Sequence, residues 1–167
     1  MPNELFPFSA FNFEVQLFIE GAAALGLSTP LCSAEFAECE GLEKTMEPKT
    51  VREGGYNTRQ TQLVGPVTYG NLTLKRGMTS SIDLWTWFDL ATSNTTKRGL
   101  KAQGVVLMLD ATRHKVLRFN LADCLPIKVK AAALNAKDGM VAVEELQIAY
   151  GSFTIARDSG AMQEAGV

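Results

Sequence analysis

From residue 11 to residue 19 the chain alternates, with Phe11, Phe13, Val15, Leu17 and Ile19 at odd positions and Asn12, Glu14 and Gln16 between them. A period of two gathers the large apolar side chains on one face of an extended strand and scatters them around a helix. The segment is therefore predicted as a half-buried β-strand. The same period returns in Leu72 and Leu74, in Leu117, Phe119 and Leu121, and in Leu125, Ile127 and Val129. Residues 105–109 are apolar at every position, which places a strand in the middle of a sheet. A further strand is expected over residues 32–42, ended by Gly41.

Two interruptions carry information. The strands of residues 116–121 and 125–129 are either separate or one strand bent at Asp123. Near the end of the chain the apolar phase passes from odd (Val141, Val143) to even (Leu146, Ile148, Tyr150) across Glu144 and Glu145, and a β-bulge there would keep both parts facing a core. One helix is expected over residues 81–92, capped by Ser80 or Ser81 with Asp83 in the first turn. Ile82, Leu84, Trp85, Trp87, Phe88 and Ala91 give it a broad apolar face, so each tryptophan is either core or part of a subunit contact. Residues 51–65 are polar and contain Gly54, Gly55 and Asn57, which reads as a projecting arm loop suited to a contact. The expected architecture is mainly β, an antiparallel sandwich or barrel of seven or eight strands with one appended helix. It forms one domain over residues 1–157, with a tail at 158–167.

Chemistry is sparse. His114, the one histidine, lies in a polar turn that offers no orienting partner for general-base work. Cys32, Cys39 and Cys124 match no usual zinc spacing and are expected as reduced, mostly buried thiols. No phosphate-loop pattern occurs, and a formal charge of −2 gives no bulk attraction for nucleic acid or an anionic membrane. The longest apolar runs fall far below the roughly 20 residues of a membrane span. Nor do residues 1–13 read as a secretion signal, so synthesis in the cytoplasm is expected. No enzyme activity and no cofactor are expected.

Several segments in order resemble the tail tube protein family of contractile phages and extracellular contractile injection systems. They are Phe11-Asn12-Phe13; Cys39-Glu40-Gly41-Leu42; Arg52-Glu53-Gly54-Gly55; the run from Pro66 to Gly77; Asp83 with Trp85 and Trp87; Leu134-Asn135-Ala136; and Val143-Glu144-Glu145-Leu146. The resemblance implies a structural inner tube subunit whose sheets join side by side into a hexameric ring barrel, with rings stacked inside a sheath. Its implied partners are copies of itself, the sheath protein, baseplate and tube-initiator proteins, and a tape measure protein, cargo or DNA in the lumen, all within an assembled phage tail or injection particle. The arm would reach an adjacent subunit or ring, which makes Arg52, Glu53, Gly54, Gly55, Tyr56, Asn57, Trp85 and Trp87 the candidate ring and inter-ring contacts. A tube-initiating baseplate paralogue is the alternative within the family. A monomeric ligand-binding β-barrel is the alternative outside it.

Overall fold

A computed structural model describes residues 12–27, 30–34, 36–52, 54–55, 60–93, 100–137 and 139–158, with only the backbone at 32–34. Phe11, Glu35, Glu53, Tyr56, Asn57 and the tail from residue 159 lie outside the described residues. The body is one eight-stranded antiparallel sheet. Its first part joins β1 (Phe13–Phe18) to β2 (Cys32–Ala34) on one side and to β9 (Ala102–Leu109) on the other. Next to β9 lies β10, an unbroken run over Lys115–Lys130. The second part adds β11 (Val143–Ala149), β8 (Asn71–Gly77) and the edge strand β3 (Glu38–Glu40).

β10 is one strand with a corner, as the second of the two sequence readings had it. Leu121 faces Phe153 and Ala122 faces Ser152 on β12 (Ser152–Arg157), while Leu125 faces Ala149 and Pro126 faces Ile148 on β11. The register does not slip across the break, so β11 and β12 lie end to end along one edge of β10. At the break Asp123 takes a left-handed backbone (φ 55°), which a short polar side chain tolerates, and the Gly151 N–H donates to the Ala122 carbonyl at 2.9 Å. Folded there, the sheet encloses one core. Val15, Leu17, Val106 and Leu121 come from one half, Leu72, Leu74, Leu146 and Ile148 from the other, and all are at most 3% exposed.

α1 (Asp83–Thr92) closes the core with Leu84 and Trp87. It starts later than expected, and neither serine caps it: Ile82 holds the cap position with no side-chain bond, and the Ser81 N–H instead bonds the Thr79 hydroxyl. The segment 32–42 is two strands rather than one, β2 and β3, at opposite edges of the sheet. The described residues hold twelve strands, more than seven or eight, because the arm region contributes four.

The expected bulge at residues 144–145 is absent. β11 pairs with β8 in unbroken register from Val143 opposite Gly77 to Ala149 opposite Asn71, and the slip in this part of the sheet falls in β10, between Pro126 and Lys128. The inward phase is even throughout, so Val143 and Val141 stay exposed while Glu144 points inward. Its position is explained by its partners: Arg76 Nε donates to one carboxylate oxygen and the Trp85 indole N–H to the other at 3.1 Å. A buried carboxylate is tolerable when each oxygen meets a donor.

Candidate assembly surfaces

Residues 44–69 form a β-ribbon. At its base β4 (Lys44–Met46) pairs with β7 (Val67–Tyr69), and farther out β5 (Lys49–Arg52) pairs with β6 (Gln60–Leu63). The segment expected as a loop therefore contains strand residues on both sides, which turn composition alone did not disclose. Between the pairs the ribbon carries Glu47 and Pro48 on one strand and Val64, Gly65 and Pro66 on the other, one residue more. Gly65 sits where a β-carbon would lie 1.7 Å from the Glu47 carbonyl oxygen, so only glycine allows the two strands to approach this closely there.

Every described residue of β5 and β6 is exposed. Val51, Leu63 and Val64 present apolar side chains to solvent, with Val64 81% exposed. A two-stranded ribbon with this much open apolar surface is marginal by itself in water. Its base is anchored firmly. The Tyr150 hydroxyl donates to the Gly41 carbonyl at 2.6 Å and accepts the Glu43 N–H at 3.2 Å. The Tyr69 ring meets Tyr150 and Phe153 edge-on at 5.8 and 6.0 Å between centroids, and the Lys44 ammonium lies 4.5 Å over the Phe153 ring. Tyr150 and Phe153 thus tie the ribbon to the corner of β10. Sequence reading placed Tyr150 only in the apolar phase of residues 146–150 and passed over Phe153, since their role at the ribbon rests on pairing across about 80–110 positions, which no local window contains.

Among the expected contact residues, Arg52, Gly54 and Gly55 lie exposed toward the ribbon's far end, with Gly55 at φ 121° in the turn. Trp87 is core, fully buried with its indole N–H on the Leu100 carbonyl at 2.9 Å. Trp85 is half-buried and committed to Glu144. The tryptophans and the ribbon residues thus occupy separate parts of the subunit.

The titratable groups do structural work. Asp110 closes a turn by accepting from the Thr112 hydroxyl and from the Thr112 and His114 N–H groups, and these bonds hold its carboxyl below the usual range. His114 is exposed beside it, with Nδ1 2.7 Å from the Thr112 hydroxyl. Among the described residues, no group of three or more histidine, cysteine or acidic side chains is placed to hold a metal ion. Burial, aided by the Glu40 charge, pushes the Cys39 thiol from 9.0 up to about 11, and burial pushes Cys124 up to about 12. Folding thus favours the protonated thiols, and that contribution is whole below about pH 9 and lost as pH rises through 11 to 12. In a Cys32→Ser background, disulfide-exchange labelling at pH 8 is expected to be slow in the native protein and fast in urea, with stability falling above pH 9 less steeply in Cys39→Ala. Fast native labelling would contradict this burial.

The family described as T4-like virus tail tube protein gp19 matches residues 9–154. The chain belongs to this family. No curated protein sequence matches it. Solved structures bear out the fold of this tail tube family member. A chain of the anti-feeding prophage (AFP) baseplate is 24% identical, with 90% of this chain and 96% of that chain covered and a TM-score of 0.76. A chain of the sheath-tube complex of PVC, an extracellular contractile injection system, in its extended state is 16% identical, covering 92% and 94%, with a TM-score of 0.74. Hcp1 from Salmonella typhimurium is 13% identical, covering 89% of each chain, with a TM-score of 0.51. The family is one of structural tube components, and the chain is accordingly not an enzyme.

Proposed function

We propose that this chain is an inner tube subunit that closes into hexameric rings and stacks them into a hollow tube inside a contractile sheath. The observation that carries the reading is the exposed ribbon of β4–β7, with Val51, Leu63 and Val64 open to solvent, on a subunit of the tail tube family. Two further features support it. The sheet ends in the open edge strands β2 and β3, and lateral joining of subunits would pair those edges. A heterologous contact repeated by rotation closes a ring, and the same design repeated along an axis builds a tube.

In this reading Arg52, Glu53, Gly54, Gly55, Tyr56 and Asn57 are contacts at the ribbon's end, Trp87 supports the helix from within, and Trp85 lies near a lateral contact. Sheath and baseplate proteins would bind outside and at the end of the tube, and a tape measure protein, cargo or DNA would occupy the lumen. No helix among the described residues is long and apolar enough to cross a membrane. A second reading, a tube-initiating ring of the baseplate, is favoured by the likeness to a chain of the AFP baseplate. The two differ in copy number, many rings against one. The centre of the core is packed by leucines, valines and Ile148 from both sheet halves, which speaks against a barrel built around a small ligand at its centre.

Electron microscopy of the purified protein at high concentration is expected to show sixfold rings and stacked tubes. Leu63→Asp with Val64→Asp should leave circular dichroism unchanged, because both side chains are exposed, and should reduce tubes to single rings. Tubes of unchanged length in this variant would remove the ribbon from the stacking contact. A monomer at every concentration in the parent protein would overturn spontaneous assembly.

A further inference from the structure

β10 is paired on both flanks only as far as its corner. β9 leaves it at Cys124, opposite Ala102, whereas β11 stays on the other flank as far as Lys130. Among the described residues, no strand takes up the flank of Leu125–Lys130 that β9 has left. The second half of the sheet, β10–β11–β8–β3, therefore has two open edges, this flank and β3. Unpaired edges of this kind accept a further strand.

The two edges carry opposite charge on the same face. Lys130, Glu145, Lys75 and Glu38 stand in register across the four strands, and Lys128, Gln147, Thr73 and Glu40 form the next such row. These rows alternate with the buried Leu74 and Leu146, so their side chains point away from the core. Neighbouring charges pair within the copy: Lys75 Nζ lies 2.6 Å from the Glu38 carboxylate, and Lys128 Nζ 3.4 Å from that of Glu145. The first row thus alternates in sign, with exposed lysines at one edge of the half-sheet and exposed glutamates at the other.

We propose that Glu38 and Glu40 of one copy pair with Lys128 and Lys130 of the next, as the neighbour's β10 adds to the open edge of β3. The proposal deepens, and rests on, the reading of the chain as a ring-forming tube subunit. Strand direction allows the junction. All the pairings within the half-sheet are antiparallel and its strands are even in number, so a copy related by rotation brings its β10 antiparallel to β3. In straight register Glu38 faces Lys130 and Glu40 faces Lys128. A stagger of two residues, of the kind tilted strands in a closed barrel require, still leaves one pair of opposite charges. The apolar surface agrees. Beside β3 a groove of about 330 Å³ opens between the sheet halves, with Phe13, Met108 and Phe119 on one side, Cys39 and Leu42 on the other, and Glu38 and Glu40 also in its lining. An apolar groove with acidic members suits a strand that carries lysines and hydrocarbon together: Val129 stands between Lys128 and Lys130, and Ile127 is 41% exposed.

Charge reversal tests the junction. Glu38→Lys with Glu40→Lys puts lysines at both edges, and Lys128→Glu with Lys130→Glu puts glutamates at both. All four side chains are exposed, so circular dichroism and melting should stay close to those of the parent. Each reversed protein alone is expected to need a concentration about tenfold or more above the parent's to form rings, because like charges meet at every junction. Mixed in equal amounts, the two should restore rings in which the types alternate, a tag on one type recovering both equally, and the chain with all four reversals should assemble as the parent does. Parent rings matched by each reversed protein alone, or no rescue by mixing and by the fourfold variant, overturn the junction and leave the tube reading intact. A parent that stays monomeric at every concentration overturns both. If a reversed protein fails to fold, Glu38→Gln with Glu40→Gln and Lys128→Gln with Lys130→Gln take its place: each should weaken ring formation and flatten its dependence on sodium chloride, and a dependence equal to the parent's overturns the junction.

Discussion

Glu144→Ala is expected to destabilise the subunit by about 3–5 kcal/mol, the usual cost of leaving one member of a buried ion pair without its counter-charge. Arg76 is 5% exposed and Glu144 3% exposed, so water cannot replace the lost partner. The guanidinium already has a buried Nη2 without an acceptor among the described residues, and the Phe36 ring lies 5.8 Å from it. At roughly 2–4 °C per kcal/mol for a domain of this size, the melting temperature should fall by about 6–20 °C. Trp85 would lose its acceptor as well, so its fluorescence should shift in the native baseline. Replacing both charges, Arg76→Met with Glu144→Leu, should recover most of the loss, because similar volume is kept and no charge is stranded. Urea unfolding of Arg76→Met, Glu144→Leu and the double variant closes the cycle. Additive losses would show that the two side chains do not act as a pair.

Gly41→Ala should be nearly as damaging for a different reason. Gly41 has φ 99°, and a β-carbon there would sit 1.9 Å from the Asn71 carbonyl oxygen, so backbone must move. Strain of that kind costs about 1–3 kcal/mol before the steric displacement is added, and a total of about 3 kcal/mol or more is expected. The Gly41 carbonyl is also the acceptor of the Tyr150 hydroxyl, so the displacement passes to the ribbon base. Gly54→Ala is the control: nothing lies within 4 Å of the added carbon, and the change should stay within about 0.5 kcal/mol. If the two alanine variants unfolded at the same urea concentration, this account of Gly41 would be wrong.

Much of the fold was legible in the sequence. Alternation located β1, β8 and both halves of β10, and the unbroken apolar run located β9 between two neighbours. What failed did so where a polar side chain faces inward or a pairing is distant. Glu144 broke the apolar phase of β11 and invited a bulge, because nothing near it in the chain announces Arg76 and Trp85 as partners. Residues 32–42 carry no turn strong enough to show that Glu38–Glu40 leaves for the far edge of the sheet. The ribbon was missed as paired structure because Lys49–Arg52 and Gln60–Leu63 carry one large apolar residue each, Val51 and Leu63, too few to show a period of two. Its base depends on Tyr150 and Phe153, whose partners are Gly41, Glu43, Lys44 and Tyr69. For the contact residues, sequence separated exposed glycines from buried aromatics poorly, and Trp87 fell on the core side of that division.

The corner at Asp123 has a mechanical consequence. Because β10 runs through it without a chain break, and β11 with β12 follows in register on the same edge, the two halves of the sheet share covalent bonds as well as packing. Tension applied to one half passes to the other along the main chain, and sliding the halves apart would require many ladder hydrogen bonds to shear together rather than unzip singly. In the proposed tube, a subunit built this way would pass an axial thrust from one half of its sheet to the other through the main chain.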